Sequence, residues 1–133
     1  LGDVYKRQPH LNIGVFSLEK DAPHWEVWQK NLKKALSSGR IWGSEQIAMN
    51  ITIYSVNLDV EILPAYCNWT LIDAIKFDKQ NNTFVEPYLP NHELGIIHFA
   101  GKNNDQIRND KDHISKIKTL DGEIINKSLR FRN

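Results

Sequence analysis

The stretch Gly95-Ile-Ile-His-Phe-Ala-Gly-Lys102 indicates a strand that ends at a polar edge of a sheet. Two isoleucines lead into His98, Gly101 allows the backbone to turn, and Lys102 follows. A neutral imidazole binds metal ions, and a lysine ammonium binds anions such as phosphate. We therefore expect a binding edge here, with His98 as a metal ligand. The alternative is an ordinary strand-to-loop connection in which His98 only forms hydrogen bonds.

Composition places the chain among ordinary globular proteins. Its 133 residues fit one modest domain, and the hydrophobic share of 41% and charged share of 25% are typical. A net charge of +1 gives no electrostatic reason to expect a nucleic-acid partner. The sequence has neither the roughly 18 apolar residues that span a bilayer nor a secretory signal, so we expect a cytoplasmic location. The single cysteine, Cys67, excludes an internal disulfide and is interpreted as a packed small residue.

The first eight residues, Leu1-Gly-Asp-Val-Tyr-Lys-Arg-Gln8, resemble translated sequencing-adapter read-through. The chain also lacks an initiator methionine. We therefore interpret residues 1–8 as a non-native artefact and leave them out of the fold reasoning. We also expect the remainder to be the C-terminal part of a longer protein.

Helical periodicity appears twice in the first half of the chain. Apolar residues at three- and four-residue steps predict an amphipathic helix over Pro23–Ser38, with Gly39 beyond its end. We expect its tryptophans, Trp25 and Trp28, to pack in the core. A second helix is predicted to begin at Ser44 as N-cap, with Ile47, Ala48 and Ile51 on its buried side.

Strand patterns are predicted on both sides of these helices. Asn12–Leu18 contains β-branched and aromatic residues, and Asp59–Leu63 alternates polar and apolar positions. Phe77–Val85 predicts a hairpin or long loop around an Asn-rich tip. The stretch from Lys102 to Lys118 is strongly polar, which indicates a solvated helix or a loose connection. Residues 121–122 are predicted to form a turn, followed by an edge strand or a helix.

Four short motifs follow one another along residues 11–103. They are Asn12-Ile-Gly-Val-Phe16, Ser44-Glu-Gln-Ile-Ala48, Leu63-Pro-Ala-Tyr-Cys-Asn-Trp69 and Ile97-His-Phe-Ala-Gly-Lys102. In this order and spacing they resemble the C-terminal half of a GT-A-type, nucleotide-sugar-dependent glycosyltransferase of the family-8 kind. The resemblance implies an α/β chain with a partial GT-A fold, a mixed sheet with flanking helices. It also implies a glycosyltransferase part at 9–103 and a polar C-terminal extension at 104–133.

The resemblance implies roles for residues that match the family motifs. Asn12 and Gly14 would lie against the donor sugar, with Asn68 also in the substrate-binding set. Glu45, which replaces the usual aspartate, would hold the hydroxyls of the donor sugar. Gln46 would lie near the anomeric carbon as the catalytic residue.

The same resemblance implies a metal site around His98. This histidine would join two aspartates of a D-x-D motif to bind Mn²⁺ or Mg²⁺ on the diphosphate of the donor. Gly101 and Lys102 would bind the substrate beside it, although Lys102 falls closer to the histidine than the family lysine does. The fold-relevant sequence contains no D-x-D motif in the right context, since Asp110–Asp112 indicates a solvated charged stretch. We therefore expect the fragment to be inactive alone, with membrane association only through missing parts.

The expected partners are a nucleotide-diphospho-sugar donor and a carbohydrate or glycoconjugate acceptor. An alternative is a non-catalytic carbohydrate-binding module that uses the tryptophans, Trp25, Trp28, Trp42 and Trp69. A third hypothesis is a structural domain in which the motifs are coincidental.

Overall fold

The computed structural model describes residues 10–39, 43–55, 58–101 and 104–130. The chain divides into two compact units, Leu1–Ile62 and Leu63–Asn133. The elements are α1 (His24–Ser38), α2 (Ser44–Ser55), 3₁₀ turns at Ala65–Cys67 and Ile72–Ala74, β1 (Lys76–Asp78), β2 (Thr83–Val85), α3 (Asp105–Asn109), β3 (Ser115–Thr119) and β4 (Ile124–Lys127). The expected α/β class with a mixed sheet is confirmed.

Helix α1 is confirmed where the periodicity predicts it. Pro23 precedes its first residue, and its fixed φ of −61° suits a helix start, while Gly39 follows the last residue in an extended conformation. The expected core position of the tryptophans is wrong for Trp25, whose side chain is 38% exposed. Both indole rings instead pack around Phe16, with centroid distances of 6.2 Å for Trp25 and 5.6 Å for Trp28.

Helix α2 begins at Ser44, but its buried face differs from the predicted one. The backbone N–H of Ile47 donates to the carbonyl of Gly43, so Gly43 occupies the N-cap position expected for Ser44. Ile47 is 52% exposed, whereas Ala48 and Thr52 are fully buried. Small side chains at these two positions let α2 approach α1 closely.

The two predicted strands of the first unit are wrong. Residues 12–18 form no strand, because Asn12 Oδ1 accepts a hydrogen bond from the Gly14 backbone N–H at 2.7 Å and bends the chain. Residues 59–63 form no strand either, and Ile62 is 57% exposed. An alternating sequence permits a strand, but a strand needs a partner, and neither segment has one among the described residues.

In the second unit, β1 and β2 form the predicted hairpin. They pair antiparallel, with Phe77 opposite Phe84. At the tip, Asp78 Oδ1 accepts from the backbone N–H groups of Gln80 and Asn81, at 2.8 and 3.2 Å. Asn82 adopts a left-handed φ of 53°, which asparagine tolerates better than most residues.

The strand order of the sheet is β2-β1-β3-β4. β1 and β3 are parallel, with Phe77 opposite Thr119, and the segment 79–114 forms the crossover between them. β3 and β4 are antiparallel around the predicted turn, where Gly122 has a φ of +92° that a residue with a Cβ would strain to adopt. Of the edge strand or helix predicted after this turn, the structure has the strand, which is β4. The solvated reading of residues up to 118 is wrong at β3, where Ile117 is buried.

Six apolar side chains form the core of the second unit and bury the inner face of the sheet. They are Trp69, Ile75, Phe77, Leu94, Ile117 and Leu129. The segment 104–133 was expected to be a polar extension. Its described residues supply two of these six core side chains, Ile117 and Leu129, and the two strands β3 and β4. A glycosyltransferase boundary at residue 103 stays a prediction. In the described part of the chain, no helix has the length and apolar character needed to cross a membrane.

Candidate functional site

The segment that carries His98 runs beside the segment that ends in Trp69. The backbone N–H of Trp69 donates to the Ile96 carbonyl at 2.8 Å, and that of His98 donates to the Trp69 carbonyl at 2.8 Å. These bonds form an isolated parallel bridge between Trp69 and Ile97 instead of the expected strand. A short bridge suffices to fix the backbone on both sides of His98, because Trp69 is itself anchored in the core.

His98 and Asn68, two of the predicted site residues, meet directly. The Nδ1 atom of His98 lies 3.1 Å from Oδ1 of Asn68, and both residues are half-buried. An amide oxygen only accepts hydrogen bonds, so Nδ1 carries the proton. In the neutral ring the lone pair is then on Nε2, the arrangement of a histidine ready to bind a metal or to accept a proton.

The described residues do not complete a metal site around this imidazole. In residues 10–39, 43–55, 58–101 and 104–130, no group of three or more His, Cys, Asp or Glu side chains could hold a metal ion. Mg²⁺ and Mn²⁺ favour several oxygen ligands, so His98 alone supplies one ligand of a larger set. Lys102 lies outside the described residues, and Gly101 is exposed with a φ of +79°. A phosphate-binding role for this pair stays a prediction.

In the first unit, Asn50 joins the segment that contains Asn12 to helix α2. Asn50 is 7% exposed, and its side chain pairs with the backbone of Leu11, accepting from N–H at 2.8 Å and donating to C=O at 2.9 Å. The Gln46 amide nitrogen, one turn earlier on the helix, lies 2.6 Å from Nε2 of His10. The residues just before the motif of Asn12 are therefore held against helix α2.

The remaining predicted residues of this unit are exposed. Asn12 and Gly14 form the turn described above, in which the carboxamide oxygen of Asn12 already accepts a hydrogen bond from the Gly14 backbone N–H. Glu45 is exposed in the first turn of α2, where a carboxylate is favoured by the helix dipole. Its carbonyl accepts a hydrogen bond from Trp28 Nε1 at 3.2 Å, which ties this turn to α1.

Two polar contacts of these clusters were missed by sequence reasoning. A lone histidine beside an apolar residue belongs to no motif, so the sequence did not indicate His10. The role of Asn50 depends on a tertiary contact with Leu11, so the sequence did not indicate this residue either. A third missed group is His92, whose Nδ1 pairs with Glu86 while its ring stacks on Tyr66 with centroids 4.4 Å apart. No spacing rule in the sequence indicates this stack.

The aromatic residues divide into buried and exposed groups. Trp69 is only 4% exposed, and its Nε1 donates to the Leu71 carbonyl at 2.8 Å, so its ring presents no platform for a sugar. Phe16 is 46% exposed and forms the first-unit cluster with Trp25 and Trp28. Trp42 lies outside the described residues.

Electrostatic contacts outside these clusters link the two hairpin tips of the sheet. Lys79 lies between Asp121 and Glu123, with Nζ 2.9 Å from Glu123 Oε2. Hydrogen bonding to Asp121, and then to Glu123, raises the pKa of Lys79. The bond from Lys79, together with one from Thr119, lowers the pKa of Asp121. These groups are exposed, and their role is to hold the turns together.

An open polar cavity of about 590 Å³ lies beside α3. Its lining residues are Asp105, Gln106, Asn109, Asp110 and His113. It includes none of the predicted site residues, and its wide mouth leaves a ligand mostly in water. We therefore consider two candidate sites, each within one unit: the side-chain cluster around Gln46 and the one around His98.

Comparison with known proteins finds no matching family model, no matching curated protein and no matching solved structure.

Proposed function

We propose that this chain is the C-terminal part of a metal-dependent glycosyltransferase that moves a sugar from a nucleotide-diphosphate donor to an acceptor. In this proposal Glu45 and Gln46 hold the donor sugar, and His98 is a metal ligand. The described part of the chain does not complete a metal site by itself, so we expect it to be inactive alone.

The observation that carries the proposal is the contact between Asn68 and His98, two predicted site residues from separate motifs. In the first unit, the two residues that precede the motif of Asn12 bond to helix α2, Leu11 to Asn50 and His10 to Gln46. In the second unit, Asn68 joins its motif to that of His98 through a side-chain bond and adjacent backbone bonds. Residues of one site must lie within contact distance of each other, and Asn68 and His98 meet this condition.

The chemistry of these groups suits a sugar and its phosphates. The Glu45 carboxylate would accept hydrogen bonds from sugar hydroxyls, and the Gln46 amide would lie near the anomeric carbon. Asn68 would hold His98 in the tautomer that leaves Nε2 available as one ligand. When bound, Mn²⁺ or Mg²⁺ would offset the charge of the leaving nucleoside diphosphate.

The test is sugar transfer by a fusion that restores an upstream GT-A half, assayed in Mn²⁺ with nucleotide-diphospho-sugars. We expect His98→Ala to reduce transfer by at least about 100-fold, because a direct ligand is lost. Asn68→Ala should raise the Mn²⁺ concentration needed for half-maximal transfer about tenfold, because the imidazole loses its orienting partner. His92→Ala is the matched control, since His92 is an exposed histidine of the same unit bonded to Glu86.

Gln46→Ala tests the donor side of the proposal. We expect a drop in kcat of about 100-fold for Gln46→Ala and no change for Gln29→Ala, an exposed glutamine on α1. Transfer that is unchanged by both Gln46→Ala and His98→Ala would overturn the proposal.

A second candidate is carbohydrate binding without catalysis, favoured by the partly exposed cluster of Phe16, Trp25 and Trp28. It predicts that soluble glycans change the tryptophan fluorescence of the isolated chain without metal or nucleotide. Trp25→Ala should abolish this change. If no glycan shifts the emission at millimolar concentration, this candidate is excluded.

A further inference from the structure

Strand β4 is an open edge of the sheet. It lies at one end of the order β2-β1-β3-β4, and no described strand pairs with its outer side. The opposite end is partly closed, because Val85 of β2 forms a bridge with Glu93. An open edge presents unpaired backbone groups that can pair with another strand.

The backbone groups on this edge can be assigned from the ladder. The Thr119 N–H donates to the Glu123 carbonyl at 2.8 Å, and hydrogen-bonded pairs alternate along an antiparallel ladder. The odd-numbered residues of β4 therefore bond to β3. The N–H and C=O groups of Ile124 and Asn126 point away from the sheet, where they can bond to a further strand.

Two side-chain features of β4 favour pairing over solvation. Ile124 is 71% exposed, an unusual exposure for a large β-branched residue in a strand. The strand is also bounded by opposite charges, with Glu123 before it and Lys127 at its end. The Glu123 side chain is 66% exposed, so its carboxylate can accept a further bond besides that from Lys79. Lys127 Nζ lies 3.3 Å from Asn82 Oδ1 and 4.1 Å from the centre of the Phe77 ring, so it exchanges these contacts for a pair with a carboxylate.

We propose that β4 pairs antiparallel with β4 of a second copy of this chain, with the two-fold axis between the two Ile125 residues. In this register Glu123 lies opposite Lys127 of the second copy, and Ile124 lies opposite Asn126. The outward backbone groups of Ile124 and Asn126 form the hydrogen-bonded pairs. Ile125 lies opposite its own copy in a close, non-hydrogen-bonded pair.

Several registers let the outward backbone groups of β4 bond to each other, and the charges of Glu123 and Lys127 favour this one among them. A slip by two residues in one direction places Lys127 opposite Ile125, and a slip in the other direction places Glu123 opposite Ile125. Only the proposed register forms two Glu123–Lys127 pairs, one on each side of the axis. It also makes the two Ile124 side chains diagonal neighbours, which covers part of their exposed surface.

The proposed dimer is weak and depends on concentration. A ladder of five residues from each copy buries far less than the 1,200–2,000 Å² of a standard stable interface, which is about 25 residues on each side. We therefore expect a dissociation constant on the order of 100 μM. The proposal is independent of the proposed glycosyltransferase function.

The test is sedimentation velocity of the full chain and of two charge reversals, Glu123→Lys and Lys127→Glu, up to about 1 mM. Each reversal places like charges opposite each other at both ends of the ladder. We expect each variant alone to dimerise at least about tenfold more weakly than the original chain. Far-UV circular dichroism checks that both variants keep their fold.

A mixture of the two variants shows whether weaker dimerisation comes from charge repulsion between the two copies or from a change within each chain. In a mixed dimer, the lysines of Glu123→Lys face the glutamates of Lys127→Glu at both ends, so dimerisation should return to about its original strength. The double variant should also dimerise. Loss of the Lys79 bond or of the Lys127 contact with the Phe77 ring inside one chain has no means to produce this recovery.

Asn126→Pro provides a variant that does not depend on charge. Its N–H points outward, so proline removes a bond of the proposed dimer while leaving the bonds to β3. We expect a monomer with an unchanged circular dichroism spectrum. The proposal is overturned by a monomeric original chain at about 1 mM, by a dimer that Asn126→Pro leaves intact, or by a mixture that does not recover.

Discussion

The two units of this chain bury different kinds of side chain. In the second unit, six of the buried apolar residues pack into one cluster, among them Trp69 and Phe77. In the first, the buried apolar residues of α2 are Ala48 and Met49, beside the polar Ser44, Asn50 and Thr52. We infer that apolar burial stabilises the sheet of the second unit, whereas hydrogen bonds of buried polar side chains fix the packing of the helices in the first.

Thr52 illustrates how the first unit is specified. It is 0% exposed, and its Oγ1 accepts from Asn31 Nδ2 at 3.0 Å and donates to the Ala48 carbonyl at 2.8 Å. Every polar atom of this side chain is thus satisfied. Each such bond contributes about 1 kcal/mol net, compared with 3–5 kcal/mol for a buried aromatic ring. We therefore expect the two units to respond differently to loss of one side chain.

The largest effect should come from Phe77→Ala. Phe77 is 4% exposed and packs edge-on against Phe84 at 5.3 Å, so its removal leaves a cavity in the core of the sheet. We expect the free energy of unfolding of the second unit to fall by about 3–5 kcal/mol, measured by urea denaturation. Phe16→Ala is the matched control in the first unit, since Phe16 is 46% exposed, and it should cost about 1 kcal/mol. Equal effects would contradict the comparison.

A smaller effect should follow from Asn50→Ala in the first unit. The variant leaves the backbone N–H and C=O of Leu11 without their side-chain partner, at a cost of about 1–3 kcal/mol. Amide hydrogen exchange should accelerate at Leu11 while the interior of α2 stays protected. Asn50→Asp, which keeps the acceptor and loses the donor, should give an intermediate rate. Unchanged exchange at Leu11 in Asn50→Ala would show that another contact holds this segment.

The smallest effect concerns acid stability of the β1–β2 hairpin. A hydrogen bond from the Asn81 side chain, with backbone bonds from Asn81 and Gln80, holds the pKa of Asp78 below its ordinary value of 3.8. The unfolded chain therefore binds this proton more readily, so the stabilisation by Asp78 is present at neutral pH and is lost as the pH falls below about 4. Asp78→Asn should reduce the loss of stability in this pH range, measured by thermal unfolding. The control Asp59→Asn in the first unit should leave it unchanged.

Local patterns predicted the two helices of the first unit and the turn between β1 and β2. The period of α1 and its flanking Pro23 and Gly39 locate that helix correctly, and the Asn-rich tip locates the β1–β2 turn. Residues 12–18 and 59–63 were predicted as strands on equally good patterns, but pairing is decided by distant partners. The reverse error occurred at β3, where alternating lysines conceal a buried Ile117.

Two residues of the candidate site in the second unit were also predicted from the sequence. Asn68 and His98 were selected from separate motifs, and the structure brings their side chains to 3.1 Å. Their contact rests on the bridge between Trp69 and Ile97, which no local pattern encodes. His10 and Asn50 were missed because their contacts exist only after α2 packs against the chain around Leu11.

The parallel pairing of β1 with β3 sets the timing of folding during synthesis. β1 leaves the ribosome well before β3, because the whole crossover 79–114 lies between them. Until then the β1–β2 hairpin has no strand beside it to bury Phe77, and Ile117 and Leu129 are still to be added to the core. The helical contacts of the first unit lie within residues 10–55 and can form earlier. The nascent second unit therefore displays an uncovered aromatic hairpin until β3 has left the ribosome, and chaperones that bind apolar segments can bind it during this interval.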